Sequence, residues 1–198
     1  MELEFTSNWV DLYRGIWTNI LTTWPARKIL EIGSFEGRST CFFIEALSQA
    51  GTGEIYCIDT WEGGEEHADN DMSAVERRFH SNISLTREQS GSKVEVHPRK
   101  GLSFPLLNQL YAEGHAGSFD LAYVDGSHQA PDVLGDLVMS YHLLKAGGVM
   151  ICDDYVWRHG NILHEPKLAI DSFSSIFRDT LTPIIDAPLR QIYFVKTR

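Results

Sequence analysis

The residues best placed to do chemistry are acids at the ends of short apolar runs. Asp125 follows the run Phe119 to Val124, and the pair Asp153-Asp154 follows Val149 to Cys152. Glu31 lies near the end of Lys28 to Ile32, and Asp59 follows Glu54 to Ile58. Three carboxylates in a small volume repel unless a proton or a cation intervenes, and oxygen-only ligands suit Mg²⁺, Mn²⁺ or Ca²⁺ rather than zinc. Asp125, Asp153 and Asp154 are therefore the candidate metal ligands. His128, three residues past Asp125, can take the proton of a substrate hydroxyl as a neutral imidazole. The candidate catalytic set is His128, Asp125 and Asp153.

Only a parallel sheet would bring these acids together, because in an open αβ sheet all carboxyl ends of the strands face one crevice. The pattern for such a sheet begins at Lys28-Ile-Leu-Glu-Ile-Gly33, where an apolar run stops at a glycine and Gly37 precedes a helix-period stretch from Ser39 to Ala50. A glycine at the strand end lets a ligand approach the backbone, and the amides of the helix start favour a polar or anionic group. The dinucleotide fingerprint G-x-G-x-x-G is not met: the motif is Glu31-x-Gly33-x-x-x-Gly37. The acid beside the loop argues against pyrophosphate and for a ligand with a cationic end. Asp59 ends the second run, at the position where a carboxylate grips the two hydroxyls of a ribose.

Further along, Met72 to Gln89 reads as a helix, and the polar connection before it makes Trp61 and His67 pocket candidates. Ser92 to His97 alternates as a third strand, followed by Gly101-Leu-Ser103 and a helix from Phe104 to Ala112. Pro131 opens a helix reaching about Lys145, closed by Gly147-Gly148. After a helix from about Pro166 to Arg178, the runs Leu181 to Asp186 and Gln191 to Lys196 flank the turn Ala187-Pro188-Leu189 and must be antiparallel. An aromatic stripe through Trp9, Tyr13 and Trp17 predicts an N-terminal helix over Phe5 to Thr23, with Ser7 or Asn8 as cap and Phe5, Thr6 and Trp9 as part of a substrate lid. The fold expected is α/β: a Rossmann-like, doubly wound, mostly parallel seven-stranded sheet ending in an antiparallel hairpin, with an N-terminal helix.

The 198 residues, 43% hydrophobic, suffice for one core, and no linker-like stretch divides them. One domain over 1–198 is expected, with 1–24 as helix or lid and 28–198 as core. A net charge of −10 without any basic cluster argues against nucleic acid and for a small-molecule partner. Cys41, Cys57 and Cys152 are widely spaced in apolar runs, as reduced core thiols would be. No signal-peptide pattern or membrane-length apolar segment is evident, which predicts a cytoplasmic protein. A homo-oligomer stays open.

Taken together, Glu31-Ile-Gly33-Ser34-Phe35-Glu36-Gly37-Arg38-Ser39, Asp59, Gly101-Leu-Ser103, Asp125-Gly-Ser-His128 and Gly147-Gly148 before Asp153-Asp154 resemble a class I S-adenosylmethionine-dependent methyltransferase. Within that class the chain is similar to the family 24 domains and to the metal-dependent O-methyltransferases of the catechol and macrolide-sugar types. The resemblance implies Mg²⁺ on Asp125, Asp153 and Asp154. The chain departs from the catechol type in having Asp-Asp for Asp-Asn, and His128 where that type has a lysine base. It also implies S-adenosyl-L-methionine as cofactor, with Gly33, Ser34 and Ser39 at the methionine end, Asp59 at the ribose and Ser103 at the adenine. Glu31, Phe35, Gly37, Thr60 and Asp125 complete the cofactor set. The activity implied is methyl transfer to a hydroxyl of a small molecule. The alternatives are a cephalosporin hydroxylase-like oxygenase on the same fold and a non-catalytic module that holds the cofactor for a partner.

Overall fold

A computed structural model describes residues 2–64, 67–68, 70–185 and 190–198. Seven strands form one sheet in the order β3-β2-β1-β4-β5-β7-β6. They are β1 Lys28–Ile32, β2 Glu54–Asp59, β3 Glu95–Lys100, β4 Phe119–Val124, β5 Leu144–Cys152, β6 Leu181–Pro183 and β7 Ile192–Lys196. β1 pairs parallel with β2 and β4, β2 with β3, and β4 with β5, while β7 pairs antiparallel with both β5 and β6. The order reverses between β1 and β4, and that switch point opens the crevice.

Among the described residues six α-helices flank the sheet: α1 Arg14–Thr23, α2 Arg38–Gln49, α3 Met72–Ser90, α4 Ser103–Leu110, α5 Ala130–Leu143 and α6 Pro166–Ile176. Successive side chains of a strand alternate between faces, so a doubly covered strand is apolar throughout. In β1, Ile29 joins the core that holds α1, α2 and α3, whereas Leu30 and Ile32 join the core that holds α4, α5 and α6. Trp17 of α1 is fully buried and packs its ring on Phe43 and Tyr123, at centroid distances of 5.3 and 4.9 Å.

Several expected boundaries move. The N-terminal stripe is two pieces, a 3₁₀ turn at Trp9–Leu12 and then α1, and Asn8 at the start makes no side-chain cap. β3 lies three residues later than Ser92 to His97 and runs through Pro98. Proline has no N–H to give the ladder, but β3 is an edge strand with only β2 beside it, so Pro98 is accommodated. The helix after Ser103 ends at Leu110 in a wider turn of π type, Tyr111–His115. α5 stops at Leu143, and β5 begins before Gly147-Gly148 rather than after them. The antiparallel finish is as expected; Asp186 and the turn Ala187-Pro188-Leu189 lie outside the described residues. Cys41, Cys57 and Cys152 are buried free thiols.

Candidate active site

The loop between β1 and α2 is the first wall of the crevice. Gly33 adopts φ +84°, and a Cβ built there would lie 1.8 Å from the carbonyl oxygen of Asp125. Only glycine lets the β1 and β4 loops meet so closely. Gly37 caps α2 at φ +79°, in the left-handed region. Phe35 between them holds φ +46° without being a glycine, as does Trp61 at +48°. Strain of this kind persists where surrounding structure fixes it. Here Trp61 donates its indole N–H to the Phe35 carbonyl at 3.0 Å, and the Phe35 ring lies against Trp9 and His67.

Asp59 does more for this loop than its position at a strand end suggests. One carboxylate oxygen accepts from the backbone N–H of both Ser34 and Phe35 at 2.8 Å, and the other from that of Trp61 at 2.7 Å. Asp59 thus ties the first loop to the second. Thr60 supports the same corner by accepting from the Glu62 amide at 3.1 Å.

Beneath the loop, Glu31 is wholly buried. Ser34 donates to its Oε2 at 2.9 Å and Thr40 donates to the same atom, while Oε1 has no hydrogen-bond partner among the described residues. Burial pushes the carboxyl above its usual range, opposed by the hydroxyls of Ser39, Thr40 and Ser34. An orphaned carboxylate oxygen under a glycine loop is a natural place for charge from a cationic ligand, so this wall fits the ammonium and sulfonium of S-adenosylmethionine. At the far end Ser103 opens α4 near the buried carboxyl of Asp136.

The second wall holds the acids. Tyr123, one strand period before Asp125, places its hydroxyl 2.7 Å from Asp125 Oδ2 and 2.6 Å from Asp153 Oδ2. Gln191 donates to the same Asp153 oxygen at 2.6 Å, and its own carbonyl accepts from the Trp17 indole at 3.0 Å. Burial, then the charges of Asp153 and Asp154, push the Asp125 carboxyl well above the carboxylate range. Burial and then Asp154 raise Asp153 to about 6. A single phenol proton cannot serve two carboxylates, so one further proton or a cation belongs between them.

Asp154 goes a different way. At φ +57° it turns its carboxylate to His128, whose Nε2 lies 2.8 Å away and whose ring lies 4.3 Å from that of Trp157. The three candidate ligands therefore do not converge, and no group of three His, Cys, Asp or Glu among the described residues has metal-binding spacing. The donors fit a hard cation in their chemistry, since it would relieve the repulsion between Asp125 and Asp153. They are instead held by Tyr123, Gln191 and His128. A cleft of about 290 Å³ opens above, lined by Tyr13, Asp154, Val156, Trp157 and Arg190.

The strand-end acids were legible from sequence; Tyr123, Gln191, Tyr13, Trp157 and Arg190 were not singled out. Tyr123 had a signal, since a residue two before Asp125 must share its face. Gln191 had none.

The chain belongs to a methyltransferase-domain family, which matches residues 30–155. Among curated relatives it is 25% identical over 159 residues to a caffeoyl-CoA O-methyltransferase of Eucalyptus globulus, covering 78% of this chain and 54% of that protein. It is 29% identical over 140 residues to a catechol O-methyltransferase of Niastella koreensis, covering 71% and 54%. The chain thus spans about half the length of the curated relatives it matches. Its fold is that of solved O-methyltransferases: one from Bacillus cereus in complex with SAH has a TM-score of 0.67 at 21% identity, covering 98% of this chain and 84% of that one. TomG from Streptomyces achromogenes, in complex with SAM, has a TM-score of 0.64 at 21% identity, covering 99% and 82%. Among the described residues no helix is long and apolar enough to cross a membrane.

Proposed function

We propose that the protein is an O-methyltransferase that moves the methyl of S-adenosyl-L-methionine to a hydroxyl of a small molecule in the cytoplasm. The observation that carries this reading is the contact of Gly33 with the Asp125 carbonyl. It sets the cofactor loop directly against the acids, so donor and acceptor share one crevice. The family match and the O-methyltransferase relatives support the same chemistry.

The bound cofactor supplies an electrophilic methyl on a sulfonium. The protein's share is placement, since in-line displacement gains most from holding two reactants at the right distance. Gly33, Ser34, Phe35, Gly37 and Ser39 surround the methionine end, with Glu31 below it. Asp59 and Thr60 border the ribose, and Ser103 the adenine. Asp125 and Asp153 would hold Mg²⁺, Mn²⁺ or Ca²⁺, which would stabilise an acceptor oxygen as its anion, while Asp154, the third candidate, faces His128. His128 gives its Nε2–H to Asp154, so Nδ1 is the nitrogen that takes the hydroxyl proton, and the carboxylate then stabilises the imidazolium.

Residues 1–24 act as a lid on the single domain 1–198. Two observations support that: Thr6 gives its N–H (2.6 Å) and its hydroxyl (2.9 Å) to the buried Glu36 of the cofactor loop, and the Arg38 guanidinium lies 4.7 Å over the Phe5 ring.

The test is transfer of a labelled methyl to 3,4-dihydroxybenzamide, without oxygen, with EDTA and with EDTA plus excess Mg²⁺. Transfer that EDTA abolishes and Mg²⁺ restores is expected, along with S-adenosylhomocysteine binding in calorimetry and no binding of NAD. Full activity in EDTA ends the metal assignment. Binding of NAD but not of S-adenosylhomocysteine ends the cofactor assignment.

A further inference from the structure

The cleft beside Asp154 has a cationic wall. Among the described residues that line it, Tyr13, Val156 and Trp157 offer ring and aliphatic surface, Asp154 an acid and Arg190 a guanidinium. Arg190 is exposed, and its side chain makes no ion pair or hydrogen bond with any described residue. Five other arginines of this acidic chain are tied to a carboxylate within hydrogen-bond reach: Arg14 to Glu45, Arg38 to Asp11, Arg78 to Glu36, Arg99 to Glu113 and Arg158 to Glu165.

The position of Arg190 is fixed from both sides. Its carbonyl accepts from the Tyr155 amide at 3.0 Å, which ties it to the loop after β5. The next residue, Gln191, is buried and held by Asp153, Trp17 and Tyr193. The backbone that carries the cation is thereby anchored to the same aspartate that faces the acceptor hydroxyl. Both Asp153 and Arg190 act on the electrostatics of Tyr13, the acid raising its hydroxyl and the guanidinium lowering it, with burial the larger cause of its rise to about 12.

We propose that the acceptor is a small hydroxy compound that carries an anionic group, a carboxylate or a phosphate, and that Arg190 is the specificity-determining residue that binds it. This rests on the methyl-transfer reading. A hydroxyl faces Asp125 and Asp153, an apolar or aromatic body lies on Trp157 and Val156, and the anionic end reaches Arg190. Guanidinium geometry matches the oxygens of a carboxylate or phosphate in pairs, whereas a neutral acceptor leaves the cation idle. A cleft of about 290 Å³ is near the lower bound for small-molecule sites, which limits the acceptor to about one ring and its substituents.

The test is calorimetric titration of the protein, preloaded with S-adenosylhomocysteine, with 3,4-dihydroxybenzoate, 3,4-dihydroxybenzamide and 3,4-dihydroxyphenyl phosphate. These probes share the ring and hydroxyls and differ in the charged group. One of the two anions should bind about ten- to a hundredfold more tightly than the amide, the size of a charge-assisted hydrogen bond. Arg190→Gln should abolish that preference without changing affinity for the amide, and Arg190→Lys should restore part of it. Arg190 is exposed, so unchanged melting temperatures are expected of both variants and confirm that they fold. Whichever anion is preferred names the group. Equal binding of all three probes, no binding of either anion, or an anion preference that survives Arg190→Gln overturns the proposal. Turnover of the amide is scored separately, so a protein that methylates it without favouring either anion loses the Arg190 proposal and keeps the methyl-transfer reading.

Discussion

Replacing Asp136 by Asn removes a carboxyl from the interior of α5 and should flatten the dependence of stability on pH. Asp136 is 1% exposed, and neither of its carboxylate oxygens has a hydrogen-bond partner among the described residues. Burial raises its pKa from 3.8 to about 7, with Ser103 opposing the rise. An acid raised on folding stabilises the native state fully below its unfolded value, and that contribution is lost as pH climbs through the folded value. The rise from 3.8 to about 7 corresponds to roughly 4 kcal/mol at about 1.4 kcal/mol per pH step. Between about pH 5 and about pH 8 the wild type should lose roughly 2–3 kcal/mol through this group. Urea unfolding at a series of pH values reads the loss directly, provided the slope with denaturant is the same for both proteins. Asp136→Asn should lose less stability over the series than the wild type by about the share assigned to Asp136, the remaining decline being carried by Asp125, Asp153 and Glu31, whose carboxyls burial also raises. Parallel curves for the two proteins would refute a buried protonated Asp136.

Gly33→Ala should destabilise by more than about 3 kcal/mol, since it forces a side chain into φ +84° and into the Asp125 carbonyl; thermal melting and S-adenosylhomocysteine titration check it. Arg78→Met strips the partner from Glu36, whose side chain is 1% exposed and sits 2.6 Å from the guanidinium. It should cost about 2–4 kcal/mol, less than a fully stranded buried charge because Thr6 still donates to the carboxylate. Glu36→Gln in that background should recover part of the loss, and urea unfolding measures both. His128→Ala should lower turnover by roughly 10²–10⁴-fold with the melting temperature little changed if the imidazole takes the acceptor proton. A stability loss with turnover intact would make it a structural partner of Asp154.

What the sequence settled was whatever depends on short-range periodicity and on chain order. Apolar runs ending in Gly33, Asp59, Asp125 and Asp153 specify parallel strands, and parallel strands must present their carboxyl ends to one crevice. The cofactor loop was readable because left-handed backbone demands glycine at Gly33 and Gly37. Boundaries failed where context overrides a local rule: Pro98 stays in β3 because that strand is an edge, and Gly147-Gly148 lie inside β5 in the irregular stretch between its pairings of Leu144 with Phe119 and Val149 with Leu121. Only the tertiary structure decided how the acids are used. Asp59 is drawn to the amides of Ser34 and Phe35, and Asp154 to His128, so strand-end acids that look alike in sequence hold different partners. Gln191 lies 38 positions from the Asp153 it supports and 174 from Trp17. Hydrogen bonds and charge act over a few ångströms of space, and no periodicity along a chain records which distant residues a fold brings within that range.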